Sequence, residues 1–558
     1  MKMIKKKIIR KVILAVILMS TSVSIVAENK NFCAEYIKIW GIVKYYTPYE
    51  SNIIPKLDSV FLGGIKAILC FNERTTFNKS VKELMKYSNR SLKSKPIYET
   101  NPEKTKYTDS LNGWIKTDKN LTNLNRKKLI QISRVVRDTI SIFIKNNNDN
   151  FCAEFTNEKR YITLYPPVEV RLLALARYWN AINFFFPYKS QISVNWDSTL
   201  NDFSNELISC DSELNFHMTI LKLCTLIRDG HGSVSSYPIE KYYGYYQLPF
   251  MVNYVNDQII ITKIHKSAMN SGIKFGDAIL KINNKSFQEF YLKDSILIWG
   301  SNSKRKKNIS ANNFIKSRNE QINEVQIKRN DSIININFKS ISTLSVIKSE
   351  LFEYVSKPNF SVGDNYIYID LNQIDSMDFE KLIRLHNKPY IIIDIRAYPN
   401  WVLNQIDELF SSHKTPFASY YRADLSCPGR FNSPTTVYLN PVESDNKVHY
   451  KKMILMVNYS TISRGEFLTM AFQALPNVLT FGDNTAGADG NIAQILLPGN
   501  ISTNFSGLGI VYPDGQKTQQ YGVKIDSFYK NTGLGIARGY DEELNFIIKS
   551  IINEKGKD

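Results

Sequence analysis

Three short runs, "YIYIDL" (366–371), "YIIIDIRAY" (390–398) and "MILMVNY" (453–459), are apolar at nearly every position until they end. A strand with one wet face alternates apolar and polar residues. A continuously apolar strand is buried on both faces, as in a parallel sheet covered by helices. Parallel strands need helical crossovers, and amphipathic stretches such as "MDFEKLIRLH" and "EFLTMAFQAL" stand between or after them. From about residue 350 onward the chain is expected to be α/β, with Pro476 stopping the last of these helices.

The third run breaks off at a polar knot, "STISRGE" (460–466), and an amphipathic pattern starts at once. Ser463 at this junction has two readings. With Glu466 it spells S-x-x-E, the capping box, in which the serine accepts from a backbone N–H and the glutamate reaches back. A serine at the end of a buried strand is also on a rigid perch for a nucleophile. The adjoining helix N-terminus offers free N–H groups and a positive dipole to an oxyanion. Local chemistry alone favours the cap.

Between about 245 and 342 the runs "LPFMVNYV", "QIIITKI", "DAILKINN", "EVQIKRN" and "SIININF" read as strands. Earlier still the pattern is helical, near 30–145 and 168–228. It contains an internal repeat: "IWGIVKYYTPYES" (39–51) and "YWNAINFFFPYKS" (178–190) align without gaps, Trp40 on Trp179. Each proline ends a helix.

The first residues are excluded from the fold. "MKMIKKKIIRK" is basic and "VILAVILMSTSVSIVA" is apolar with a small-residue end, which reads as a secretory signal cleaved after Ala27. An uncleaved anchor is the other reading. Removing this segment's six basic residues takes the net charge from +19 to about +13. The one tight basic run, "SKRKKN" (303–308), reads as a solvated loop, and no nucleic-acid partner is expected. Six cysteines show no CxxC or metal spacing. They are read as mostly buried thiols with room for one or two bridges. No metal or cofactor motif is present.

Of six histidines, only His231, in "LIRDGHGSVSS", sits in a tight glycine-flanked turn suited to a general base. Two turn-rich segments follow far downstream, "FGDNTAGADGN" (481–491) and "GLGIVYPDGQKTQQYGVKID" (507–526).

The segment "SAMNSGIKFGDAILKINNKSF" (267–287) resembles the PDZ signature. The resemblance implies peptide capture by strand addition, with Leu248, Pro249 and Phe250 of "QLPF" as the carboxylate-binding loop. In chain order, "IRDGHG", that β-domain, "IIIDIRAYPN", "TISRGE", "GDNTAG", "LLPGN" and "YPDGQKTQQYGVKID" resemble the C-terminal processing peptidases and the tricorn core, over about residues 168–545. The implied fold class is multidomain α/β: a helical N-terminal region, a PDZ-like β-domain and a ClpP/crotonase-like α/β peptidase core. The implied boundaries are 1–27 (signal), 28–150 and 151–244 (helical), 245–342 (PDZ-like) and 343–558 (peptidase).

The resemblance makes Ser463 the nucleophile. The base lysine of one branch would fall at Ala488 and is absent; the histidine-using branch places its base at His231. That branch's orienting glutamate falls at Gln519 and the serine before its histidine falls at Gly230, so Asp229 and Asp489 are the substitutes to consider. The Arg464 N–H and that of Tyr398 or Asn400 would form the oxyanion hole, since Pro399 has none. Glu466 supports the helix start. The function implied is an exported serine endopeptidase, periplasmic or extracellular, acting on proteins or peptides without a cofactor and with no stable membrane insertion after signal cleavage. The rival is a catalytically impaired, peptide-binding homologue. Oligomeric state is not legible.

Overall fold

The computed structural model describes residues 32–47, 57–91, 110–135, 142–147, 149, 151–346, 352–354, 357–442 and 447–553. The expected signal and the end of the first repeat copy lie outside them. Among the described residues no helix is long and apolar enough to cross a membrane.

The helical region forms as the periodicity implies, with helices Phe32–Tyr46, Leu57–Phe71, Arg74–Ser91, Asn123–Ser133, Val168–Phe185, Trp196–Ser209 and Glu213–Thr225. Each repeat copy supplies a long buried helix, and the two pack directly together. The Asn180 amide donates to the Ile37 carbonyl at 3.1 Å, and only a glycine at 41 leaves room for that amide. Trp40 and Trp179 are both fully buried. Two cations are buried here as well: Lys44 pairs with Glu158, and Arg177 with Asp58 (2.6 Å) and Glu158 (2.9 Å). An unpaired buried charge would be costly, so these carboxylates are a condition of the packing.

The expected β-domain strands appear as Phe250–Val255, Gln258–His265, Ala278–Ile282, Ile322–Arg329 and Ser332–Lys339, in one antiparallel sheet with its own apolar core. The basic run is not a solvated loop. From Ser303 it opens the helix Ser303–Phe314, capped by Asn302, whose side chain accepts from the Arg305 N–H. The expected carboxylate loop offers no donors. The Leu248 N–H donates to Ile315 O (2.9 Å), the Phe250 N–H to Leu248 O (2.7 Å), and Pro249 has none. Leu248 and Phe250 are buried in the core of the domain.

The three apolar runs are Tyr366–Asp370, Tyr390–Asp394 and Lys452–Val457, adjacent and parallel in a six-stranded sheet completed by Phe360–Val362 at one edge and Val478–Gly482 and Ser527–Phe528 at the other. Helices Ser376–His386 and Arg464–Gln473 follow as expected. Among the described residues none of the six cysteines is in a disulfide.

Candidate active site

The Lys452–Val457 strand ends at a turn pinned from several sides. Asn458 Oδ1 accepts from the Ser460 N–H (2.8 Å), and the Thr461 hydroxyl donates to Ile395 O (2.8 Å) on the neighbouring strand's extension. Ser463 follows with φ +55° and ψ −121°, a conformation that side-chain-bearing residues seldom adopt and that costs about 1–3 kcal/mol. The helix Arg464–Gln473 starts at the next residue.

The serine half of the capping reading fails on geometry. Ser463 makes no side-chain cap; its hydroxyl donates instead to Gly490 O at 3.4 Å. Glu466 turns to the glycine-rich loop, accepting from the Thr485 hydroxyl (2.5 Å), Gly487 N–H (2.7 Å) and Ala488 N–H (2.8 Å). Burial pushes this carboxyl up to about 7 against the pull of those donors. Glu466 therefore fixes the loop on which Ser463 rests, and the Ser463 N–H closes the contact by donating to Ala488 O (2.9 Å).

The His231 turn packs against the same loop. A Cβ on Gly230 would stand 2.7 Å from the Ala488 Cβ and 2.6 Å from the Ser301 hydroxyl. The His231 ring is buried, Nδ1 lies 2.9 Å from the Ser506 hydroxyl, and Nε2 has no hydrogen-bond partner. Burial lowers the imidazole's pKa below its usual value, Asp229 opposes this and Arg305 adds to it, so the ring is neutral at pH 7. Ser463 and His231 thus meet around one loop without a hydrogen bond between them.

Of the other residues singled out in sequence, Gln519 donates to Asp229 (3.1 Å) and does not touch the imidazole. Asp489 accepts from its own neighbour Gly490 (2.6 Å) and leaves Oδ2 unpartnered. The Asn400 N–H is spent on Leu371 O (2.7 Å). Tyr398 has no such backbone bond among the described residues, and Arg464, at the first helical position, has no intrahelical acceptor. These two N–H groups are the ones of that set left without a backbone acceptor. The Arg464 guanidinium lies over the exposed rings of Tyr398 (5.2 Å) and Trp401 (6.0 Å), forming an aromatic shelf beside Ser463.

Sequence reasoning missed Ser506 and the whole contribution of the basic run. Asn302 donates to Thr485 O (2.8 Å) and Ala486 O (3.2 Å), Lys304 pairs with Asp483, and Arg305 stands in the field of His231 and Glu466. A run of four basic residues looks solvated; only the docking of one domain on another buries its helix start.

Residues 365–527 match the family model described as Peptidase family S41. This chain carries a peptidase family S41 domain. By family this domain is of the serine-type peptidase class, and the match includes Ser463 and the 481–491 loop but not the His231 turn. The fold over 70% of this chain is similar to that of mature CPAF complexed with lactacystin, at 13% identity and TM-score 0.55, covering 99% of that chain. It is also similar to mature CPAF alone, at 12% and 0.53, covering 70% and 98%. At that identity the likeness is one of fold. The sequence matches none of the curated proteins.

Proposed function

We propose that the chain is an exported serine endopeptidase in which Ser463 attacks a peptide carbonyl and His231 takes its proton and returns it to the leaving amine. The observation that carries this reading is the strained perch of Ser463 at a strand-to-helix turn, packed on the loop that also receives the His231 turn. Strain of this kind persists where the surroundings impose it, and at a nucleophile it pre-positions the attacking oxygen. The Arg464 and Tyr398 N–H groups receive the oxyanion. The β-domain enters through Asn302 and Lys304, which hold the catalytic loop, rather than through residues 247–250.

A serine-directed fluorophosphonate should label the purified protein, and Ser463→Ala and His231→Ala should abolish or nearly abolish labelling while both variants stay folded. Continued labelling of Ser463→Ala sinks the assignment. Signal cleavage is tested by N-terminal sequencing of the mature protein, expected to begin at Glu28; a chain retaining Met1 rejects cleavage, and recovery in the cytoplasmic fraction rejects export.

One observation favours the rival, a peptide-binding homologue without turnover: the Ser463 hydroxyl is on Gly490 O, not on His231. In the proposed enzyme that bond forms when substrate displaces the hydroxyl. Turnover of any peptide in a broad library, lost in Ser463→Ala, eliminates the rival.

A further inference from the structure

The position at which the resembling peptidases carry an orienting glutamate holds Gln519 here, and the serine before their histidine is Gly230. By that pattern the histidine lacks both supports. A serine at 230 has no space, since its Cβ would collide with Ala488 and the Ser301 hydroxyl. The hydroxyl arrives instead from another strand. Ile501–Ser506 runs antiparallel to Ser233–Ser235, with Asn504 opposite Ser233. Two more residues of the same register bring Ser506 opposite His231, where its hydroxyl meets Nδ1 at 2.9 Å.

Four donors converge on the buried carboxylate of Asp229: the Ser506 N–H (2.5 Å), the Ser506 hydroxyl (2.9 Å), the His231 N–H (3.0 Å) and the Gln519 amide (3.1 Å). A carboxylate only accepts, so the single Ser506 proton is given to Asp229. The Ser506 oxygen must then accept from His231, which places the imidazole proton on Nδ1. Nε2 is left as an unprotonated acceptor, and it is the ring nitrogen with no partner.

We propose that Asp229, acting through the Ser506 hydroxyl, is the positioning carboxylate of this peptidase, fixing His231 in the Nδ1–H tautomer, with Gln519 as the anchor of Asp229. The inference rests on the Ser463–His231 reading. During attack the Ser463 proton passes to Nε2, the Nδ1 proton stays in place, and Asp229 stabilises the imidazolium through the intervening hydroxyl without taking a proton. The charged groups facing the ring are Asp229 from its own turn and Arg305 from the β-domain helix.

The test has two readouts. Nitrogen-15 NMR of the histidine-labelled full chain reports the tautomer directly, whether or not the protein hydrolyses anything. The pH profile of fluorophosphonate labelling reports the base. Wild type should show a single Nδ1–H tautomer at His231, Ser506→Ala a mixture, and Ser506→Thr the wild-type signal. Ser506→Ala should label about 10–100-fold more slowly, with the acid limb of its profile moved to lower pH because the Asp229 charge is less well coupled. Ser506→Thr should recover most of the rate. Gln519→Glu, which sets a second carboxylate against Asp229, should not accelerate labelling. An Nε2–H tautomer in wild type, an unchanged profile in folded Ser506→Ala, or a faster Gln519→Glu protein overturns the proposal. The Nδ1–H tautomer in a wild-type protein that never labels would leave the relay standing and reject the peptidase reading beneath it.

Discussion

Two adjacent parallel strands of the central sheet end in buried polar networks of opposite character. At the end of Tyr390–Asp394, Arg396 spends five hydrogen bonds on Asp394 (2.6 and 2.9 Å), Asp541 (2.5 and 3.1 Å) and Glu543 (3.0 Å). A guanidinium has five N–H donors, so this network uses the whole of it. Burial alone would raise the Asp394 pKa, but Arg396 and Lys357 hold it well below the usual carboxylate range. One strand over, beyond Lys452–Val457, the backbone is strained at Ser463, and His231 Nε2, Asp489 Oδ2, Gln519 Oε1 and Arg305 Nε are buried without partners. The first network clamps the C-terminal segment to the sheet. The second leaves polar atoms uncommitted around Ser463, where the proposed function places the substrate. The first network leaves one buried atom without a partner, Glu543 Oε1, against the four around Ser463, so the two ends differ in degree and in the backbone strain confined to Ser463.

This contrast breaks if the two strand ends respond alike. The largest expected effect is on activity: Ser463→Ala should eliminate fluorophosphonate labelling, and His231→Ala should slow it at least about 10⁴-fold, with melting temperatures close to wild type. Arg396→Ala should do the reverse. It strands three carboxylates and should lower unfolding free energy by about 3–5 kcal/mol, measured by urea denaturation. Equal stability losses in Arg396→Ala and Ser463→Ala would erase the distinction.

A smaller effect concerns pH. Burial, opposed by Arg396 and reinforced by Asp541 and Asp394, raises the Glu543 carboxyl from 4.5 to about 7. The folded state therefore binds this proton more tightly than the unfolded chain. Its stabilising contribution is complete below about 4.5 and is lost as pH rises through about 7, by roughly 3 kcal/mol. Glu543→Gln should flatten the stability–pH curve over that window; an unchanged slope refutes the assignment. The smallest effect sharpens the contrast at Ser463. Ser463→Gly removes the positive-φ penalty and should stabilise the protein by about 1 kcal/mol, while abolishing labelling. A destabilised Ser463→Gly would show that no strain is stored there.

Much of the architecture was legible. Continuous apolar runs specified the parallel strands, the 139-residue Trp–Trp offset foreshadowed two packed helices, and the β-domain strands fell where the alternation put them. The candidate site was legible only at Ser463 and His231. Ser463 shows itself through its neighbours, and His231 through its glycines. Ser506 has no local signature, because its role comes from a strand register shared with residues 233–235. Arg305 and Asn302 were hidden in a run whose charge suggests solvent. Glu466 was assigned to its own helix because sequence shows the S-x-x-E spacing and not the loop that competes for the carboxylate.

The sequence by itself determined the elements, since period and apolarity act over a few residues and need no knowledge of what packs opposite. It also determined which serine ends a buried strand. The tertiary structure decided everything that depends on pairing distant segments: which hydroxyl meets His231, where the carboxylate stands that the position of Gln519 lacks, and which N–H groups remain free. Hydrogen-bond complementarity is satisfied across space, one donor to one acceptor, and spacing along the chain does not record it.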